Sequence, residues 1–224
     1  LILLYAKTGE KNGRAQISSL LVEKNATGFA VGQKIKDKLG MRGSNTAELV
    51  FQNAQVPLSA LIGHEGDSVM HMMRNLEIER LTLAAMSLGI ARRSIEIMNR
   101  YAQEREAFGK SLNFFGQIQK YIADSYAEYK AAKAYVYETA RRMDLNKEGQ
   151  RLDSDGVKLV ATTMAKNVAD RAIQVLGGYG YVAEYVVERL WRDAKLLEIG
   201  GGTIEAHQKN ITRDLLKQPE ALYK

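Results

Sequence analysis

Apolar positions along the chain change their spacing once. Up to about residue 60 they fall in short runs, "LILLYA" and "AQISSLLVEK", separated by the polar "KTGEKNGR". "AELVFQNAQVP" gives a further run that closes at Pro57, and Gly9, Gly13, Gly28, Gly32, Gly40 and Gly43 punctuate the region. Short β-favouring runs between turn residues predict strands, with "LGMRGSNTAEL" as a loop between two of them. From about residue 65 the apolar residues recur at helical spacing, and no proline follows Pro57 until Pro219. The pattern predicts a long helix over "SVMHMMRNLEIERLTLAAMSLGIARRSIEIMNRYAQER", broken near "FGKSL", and a second from "FGQIQKY" to "RRMDLN". A third runs from "SDGVKLV" to "IQVLGG", with Ser154 or Asp155 as its cap and Gly177–Gly178 as its stop. "EYVVERLWRDAKLLEI" and "TIEAHQKNITRDLLK" are two more. Long helices with short links predict an up-and-down bundle. The expected class is mainly α: part of an antiparallel β domain over residues 1–60, then a four-helix bundle over 61–224.

Composition narrows the class only a little. The 224 residues are 46% hydrophobic and 26% charged, and no apolar run approaches a membrane span. Cysteine is absent, which excludes disulfides and thiolate metal sites. The formal charge of +6 favours anionic partners, but Lys and Arg are dispersed along the helices as solvated faces rather than gathered in a nucleic-acid stripe. His64, His71 and His207 lack metal-ligand spacing and are expected at the surface or at caps. Tyr121, Tyr126, Tyr129, Tyr135 and Tyr137 of the second helix are expected to pack their rings. "LILLYAKTG" begins like a strand already under way, and no targeting segment precedes it, so the chain is expected to be a piece of a longer one.

Two stretches carry candidate chemistry. In "NLEIERLTLAAMSLGIA" the stripe Leu76, Leu83, Ile90 includes Glu79, three residues after the first and four before the second. Beyond Leu81 this helix is apolar almost all round and is expected to be buried. A buried carboxylate is either ion-paired, for instance with Arg80, or held toward neutral pH, where it can act as a general base. The pattern alone favours the ion pair. In "LLEIGGGTIEAH" three glycines follow one another, and a helix stop accounts for one of them. Arg105 in "REAFGKSL" could hold a phosphate, and the glycines of "QVLGGYGYVAEY" could admit a flat ring, though their spacing is not a dinucleotide fingerprint. "RDAKL" is expected to be a solvated charged face.

Taken together, "KLGMRGSNTAELVFQNAQVP", "REAFGKSL", "QVLGGYGY" and "RLWRDAKLLEIGGGT" resemble the acyl-CoA dehydrogenase family, in order and spacing, over essentially the whole chain. The resemblance implies the second half of a middle β domain followed by the C-terminal bundle. It implies FAD-dependent α,β-dehydrogenation of an acyl-CoA thioester, electron-transferring flavoprotein as partner, and a homotetramer in the bacterial cytoplasm or the mitochondrial matrix. FAD contacts carried over by motif are Arg105, Phe108, Gln174, Gly178, Thr203 and Glu205, with Arg105 facing a neighbouring subunit's cofactor. Gly116 stands where many members have a glutamine.

Members usually place the catalytic glutamate where Gly201 stands here. The isovaleryl-CoA dehydrogenase-like branch instead carries it directly before the arginine, at Glu79. The resemblance therefore makes Glu79 the base and the Gly201 N–H the donor to the thioester carbonyl. Glu77, Arg80 and Gly200 fall to substrate binding, with Arg80 at the site mouth and Gly200 widening the pocket for a short branched acyl chain. The competing readings are a flavin-binding relative of the alkylation-response type acting on nucleic acid, and an assembly core without catalysis of its own.

Overall fold

A computed structural model describes residues 1–144 and 151–223. The chain divides into two compact units, Leu1–Lys38 with Arg42–Leu76, and Leu39–Met41 with Glu77–Lys224.

The first unit is mostly strands. β1 (Ile2–Lys11) and β2 (Arg14–Val22) form an antiparallel hairpin, and β5 (Leu61–Ile62) adds to the free side of β2. Asn12 and Gly13 connect β1 to β2 with φ of 52° and 71°. Positive φ at both turn residues matches the right-handed twist of the strands, which is why Asn-Gly serves here. "KTGEK" is therefore strand, not spacer. The register shifts between Lys7 and Gly9, a bulge that lets a polar run continue the ladder. β3 (Phe29–Lys34) pairs with β4 (Ala47–Phe51) in a separate two-stranded sheet, where the Phe29 and Phe51 rings meet at 5.2 Å. β3 is a strand that the sequence pattern did not single out, and β4 ends at Phe51, well before Pro57. Ser19 donates to Ser68 at 2.7 Å, so the buried hydroxyl at the start of the first helix is satisfied.

Five helices follow among the described residues: α1 (Ser68–Glu104), α2 (Gly116–Arg142), α3 (Arg151–Leu176), α4 (Val187–Ile199) and α5 (Ile204–Lys217). The short hairpin β6 (Glu106–Ala107) and β7 (Lys110–Ser111) links α1 to α2. Two apolar clusters in the second unit reveal the directions of the first three helices. One joins Ala84, Leu88 and Ala91 of α1, Ala132 and Val136 late in α2, and Val157, Ala161 and Ala165 early in α3. The other joins Met98 and Ala102 of α1, Ile118 and Tyr121 early in α2, Ala172 and Leu176 late in α3, and Val187 opening α4. The three helices therefore alternate up and down. Alanines at these contacts let backbones approach closely, and the fully buried Met98 and Leu197 each contribute about 1.5–3 kcal/mol. α3 is central and packs against α2, α4 and α5.

Two expectations change here. α1 is not buried all round, because Thr82, Ala85, Met86 and Gly89 are exposed on one side. Small apolar residues on a helix do not by themselves mark a buried face. Tyr126 and Tyr137 are more than half exposed, whereas Tyr121 and Tyr129 pack against the core clusters. No helix among the described residues is long and apolar enough to cross a membrane.

Candidate functional site

α4 ends at Gly200, whose N–H donates to the Leu196 carbonyl at 2.8 Å. Its φ of −65° and ψ of 150° are open to any residue, and a Cβ there would meet only the Leu196 carbonyl, at 3.5 Å. Gly201 and Gly202 differ, with φ of 66° and 112°. These backbone conformations strain any residue with a Cβ. Thr203 then caps α5, its Oγ1 accepting from the Ala206 N–H at 3.3 Å. Glu205 lies in the first turn of α5, and hydrogen bonds to its own backbone N–H and to Thr203 hold its carboxyl below the ordinary value. The chain reversal thus explains two of the three glycines rather than one, and leaves Gly200 as the unconstrained one.

The loop faces α1. A Cβ at Gly201 would lie 2.7 Å from Leu83 Cδ1 and 3.5 Å from Glu79 Oε1. The Glu79 carboxylate therefore stands beside the space that a side chain at position 201 would take. Glu79 itself is exposed, not buried as the stripe suggested. Leu76, Leu83 and Ile90 are only partly buried, so the stripe is the flank of the bundle and not its core. Glu77 is partly buried and acts electrostatically on Arg151.

Beneath the loop lies a buried charge cluster. Arg80, 6% exposed, donates from Nε to the Gly201 carbonyl at 3.1 Å and pairs through Nη1 with Asp155 Oδ1 at 2.9 Å. It lies under the loop and not at an open mouth. The same Asp155 oxygen meets His207 Nδ1 at 2.7 Å, and His207 Nε2 meets the Gly202 carbonyl at 2.9 Å. Lys158 donates from Nζ to that same carbonyl at 2.6 Å. Asp155, Lys158 and His207 are fully buried. Burial, and next the Arg80 charge, push the Lys158 ammonium down from 10.5 to about 8, against the pull of Asp155, Glu79 and Glu198.

The cluster corrects two expectations, and contacts of α4 correct a third. Asp155 is not a cap, because α3 begins at Arg151 and turns Asp155 inward. His207 is neither at the surface nor a cap. "RDAKL" is not merely a solvated face: Asp193 accepts the Met41 N–H at 2.6 Å, and Arg192 donates to the Leu39 carbonyl at 2.6 Å. A Cβ at Gly40 would lie 2.4 Å from the Arg192 carbonyl, so only glycine lets this segment lie on α4.

The remaining candidates lie elsewhere. Arg105 and Phe108 follow α1, and Gln174 and Gly178 close α3, all exposed and all at the end of the bundle opposite Glu79. Phe108, 97% exposed at φ 51°, forms the tip of the β6–β7 turn with Gly109, its ring edge-on to Phe115 at 6.3 Å. Gly116 is the first residue of α2.

Residues 69–216 match the family description "Acyl-CoA dehydrogenase, C-terminal domain". The chain belongs to the acyl-CoA dehydrogenase family. It is 44% identical over 217 residues to mitochondrial isovaleryl-CoA dehydrogenase of Oryza sativa subsp. japonica, covering 97% of this chain and 53% of the relative. Among solved structures, butyryl-CoA dehydrogenase from Megasphaera elsdenii superposes with a TM-score of 0.90 at 36% identity, over 96% of this chain and 55% of that one. An acyl-CoA dehydrogenase complexed with FAD from Bacillus anthracis gives 0.88 at 27% identity, over 98% and 40%. The chain spans about half the length of the curated relatives it matches.

Lys158 escaped the sequence reading, although a signal for it exists. Asp155, Lys158, Thr162, Ala165, Ala169, Ala172 and Leu176 follow one another at spacings of three and four along α3. All seven are buried. The stripe that is apolar at its C-terminal end is charged at its N-terminal end, where the glycine loop sits.

Proposed function

We propose that the chain is part of an FAD-dependent acyl-CoA dehydrogenase acting on a short branched thioester, isovaleryl-like, with Glu79 as the base. The observation that carries this is the position of the Glu79 carboxylate 3.5 Å from where a Cβ on Gly201 would be. A carboxylate from α1 reaches the space that a glutamate on the loop would occupy in most of the family. Residues 1–60 then belong to the middle β domain and residues 61–224 to the C-terminal bundle.

In this reading Glu79 takes the α proton of the thioester. The negative charge that develops on the thioester oxygen is met by the Gly201 N–H, a fixed donor that needs no reorganisation. Arg80 supports that loop from below, Glu77 lines the approach beside it, and Gly200 leaves room for a branch. FAD, when bound, supplies the hydride acceptor for the β carbon.

The exposed residues fit such a group. Phe108 sits at positive φ with an almost fully exposed ring, a strained arrangement worth about 1–3 kcal/mol that internal packing does not repay, and one suited to a flat heterocycle. Thr203 and Glu205 offer polar atoms at the start of α5, while Arg105, Gln174 and Gly178 lie at the other end of the bundle. One chain contacting two cofactors from opposite ends accords with a homotetramer in which neighbouring subunits share each FAD. Electron-transferring flavoprotein is the expected electron acceptor, and the bacterial cytoplasm or mitochondrial matrix the expected compartment.

The test is anaerobic bleaching of the FAD-loaded holoenzyme by isovaleryl-, butyryl-, octanoyl- and citronellyl-CoA. Isovaleryl-CoA is expected to bleach the flavin fastest. Failure of all four thioesters to bleach it would overturn the reading.

A further inference from the structure

The buried cluster under the glycine loop is larger than a helix stop needs. Three donors from three helices, Arg80 of α1, Lys158 of α3 and His207 of α5, converge on two consecutive carbonyls, those of Gly201 and Gly202. Asp155 takes Arg80 and His207 on one oxygen. Burying such a set is costly, and a helix C-terminus at a surface can be closed with backbone bonds alone.

The ring of His207 adds a constraint. Nδ1 faces a carboxylate and Nε2 faces a carbonyl, and both are acceptors. A neutral imidazole carries one N–H and can satisfy only one of them, so both contacts are hydrogen bonds only for the doubly protonated ring. The Gly202 carbonyl has two lone pairs and accepts from Lys158 and His207 together.

The clamp fixes more than the carbonyls. In a trans peptide the C=O and the following N–H point in opposite directions. Turning the Gly201 and Gly202 carbonyls into the cluster sends the N–H groups of Gly202 and Thr203 away from it. The Gly201 N–H lies between two pinned points, the Gly200 N–H on Leu196 and the Gly201 carbonyl on Arg80. Glycines are the residues least able to hold such an orientation unaided.

We propose that Lys158, with Arg80 and His207 anchored on Asp155, is a positioning residue that locks the peptide planes of Gly201–Thr203 and so aims the loop's N–H groups past Glu79 at the thioester. The proposal rests on the dehydrogenase reading for its substrate, but the loop locking stands on this structure alone.

Two measurements on the FAD-loaded holoenzyme separate the two. Lys158→Met keeps the volume and leaves Asp155 paired to Arg80 and His207. Amide hydrogen exchange of Gly200, bonded to the Leu196 carbonyl, and of Ala206, bonded to Thr203 Oγ1, should accelerate about tenfold or more, the scale of one charge-assisted hydrogen bond. Exchange in α2, which the clamp does not touch, should stay unchanged. With isovaleryl-CoA, kcat should fall roughly tenfold while KM stays within about twofold, as for a group that orients the transition state only. Loop exchange and kcat both at wild-type levels would overturn the proposal. If the wild type turns over no thioester, the dehydrogenase reading fails, and the exchange measurement still decides the clamp. Should Lys158→Met fail to fold, Lys158→Gln, which keeps a donor, is the second variant: exchange intermediate between wild type and an unlocked loop supports the clamp, and wild-type exchange together with wild-type kcat refutes it.

Discussion

Lys158 of α3 ends its side chain on the carbonyl of Gly202, 2.6 Å away, in a place where neither residue sees solvent freely. A buried ammonium thus terminates on a loop carbonyl, and its charge is balanced mainly by Asp155 one turn back.

That relationship has a pH signature. Lys158 titrates near 8 in the folded chain and near 10.5 when unfolded. Below about 8 both states hold the proton. Between about 8 and 10.5 the unfolded chain holds it and the folded chain has lost it, so stability rises with pH in that window. From pH 8 to 9.5 the wild type should gain about 1–2 kcal/mol relative to Lys158→Met, measured by urea unfolding. A gap between the two proteins that does not change with pH contradicts the buried ammonium.

The three glycines should respond differently to alanine. Gly201→Ala and Gly202→Ala put a Cβ at φ of 66° and 112° and against Leu83 or His207. Each is expected to cost about 1–3 kcal/mol. Gly200→Ala adds only an ordinary contact with the Leu196 carbonyl, at 3.5 Å, in a common backbone conformation and should stay within about 0.5 kcal/mol of the wild type. Thermal or urea unfolding of the three variants checks the order; equal losses at all three positions would remove the distinction.

Arg151 and Asp214 tie α3 to α5, with Nε on Oδ2 at 2.8 Å. The hydrogen bond from Arg151 holds the Asp214 carboxyl below its usual value. A depressed carboxylate stabilises above its unfolded pKa and stops doing so as pH falls through the folded one. Asp214→Asn should cost about 1–3 kcal/mol at neutral pH, below the range for a fully buried pair because Arg151 is a third exposed. The difference from wild type should shrink as pH falls below about 4. A difference independent of pH would mean that the pair is not what Asp214 contributes.

Much of the helical layout was legible because each helix announces itself locally. The run from Ser68 to Glu104 was predicted within a residue or so, and Gly177 marks the stop of α3. The hairpin was less legible: "KTGEKNGR" reads as turn residues, but only Asn12 and Gly13 turn, and a bulge absorbs the rest. The cluster under the loop was not legible at all as a unit. Asp155 near a helix start looks like a cap, His207 looks like a surface residue, and Lys158 looks like any lysine. Their meaning depends on three helices bringing them to one point, and periodicity along one helix cannot supply that. The stripe drew attention to Glu79 but misjudged its burial, since the stripe is the flank of the bundle.

The central claim is that the carboxylate beside Gly201 does the work of the missing loop glutamate. Glu79→Gln in the FAD-loaded holoenzyme keeps the size and removes the base. With isovaleryl-CoA the rate of flavin bleaching should fall by about 10²–10⁴-fold, the contribution of a positioned general base, with FAD still bound in full. Bleaching near the wild-type rate in that variant would contradict the account.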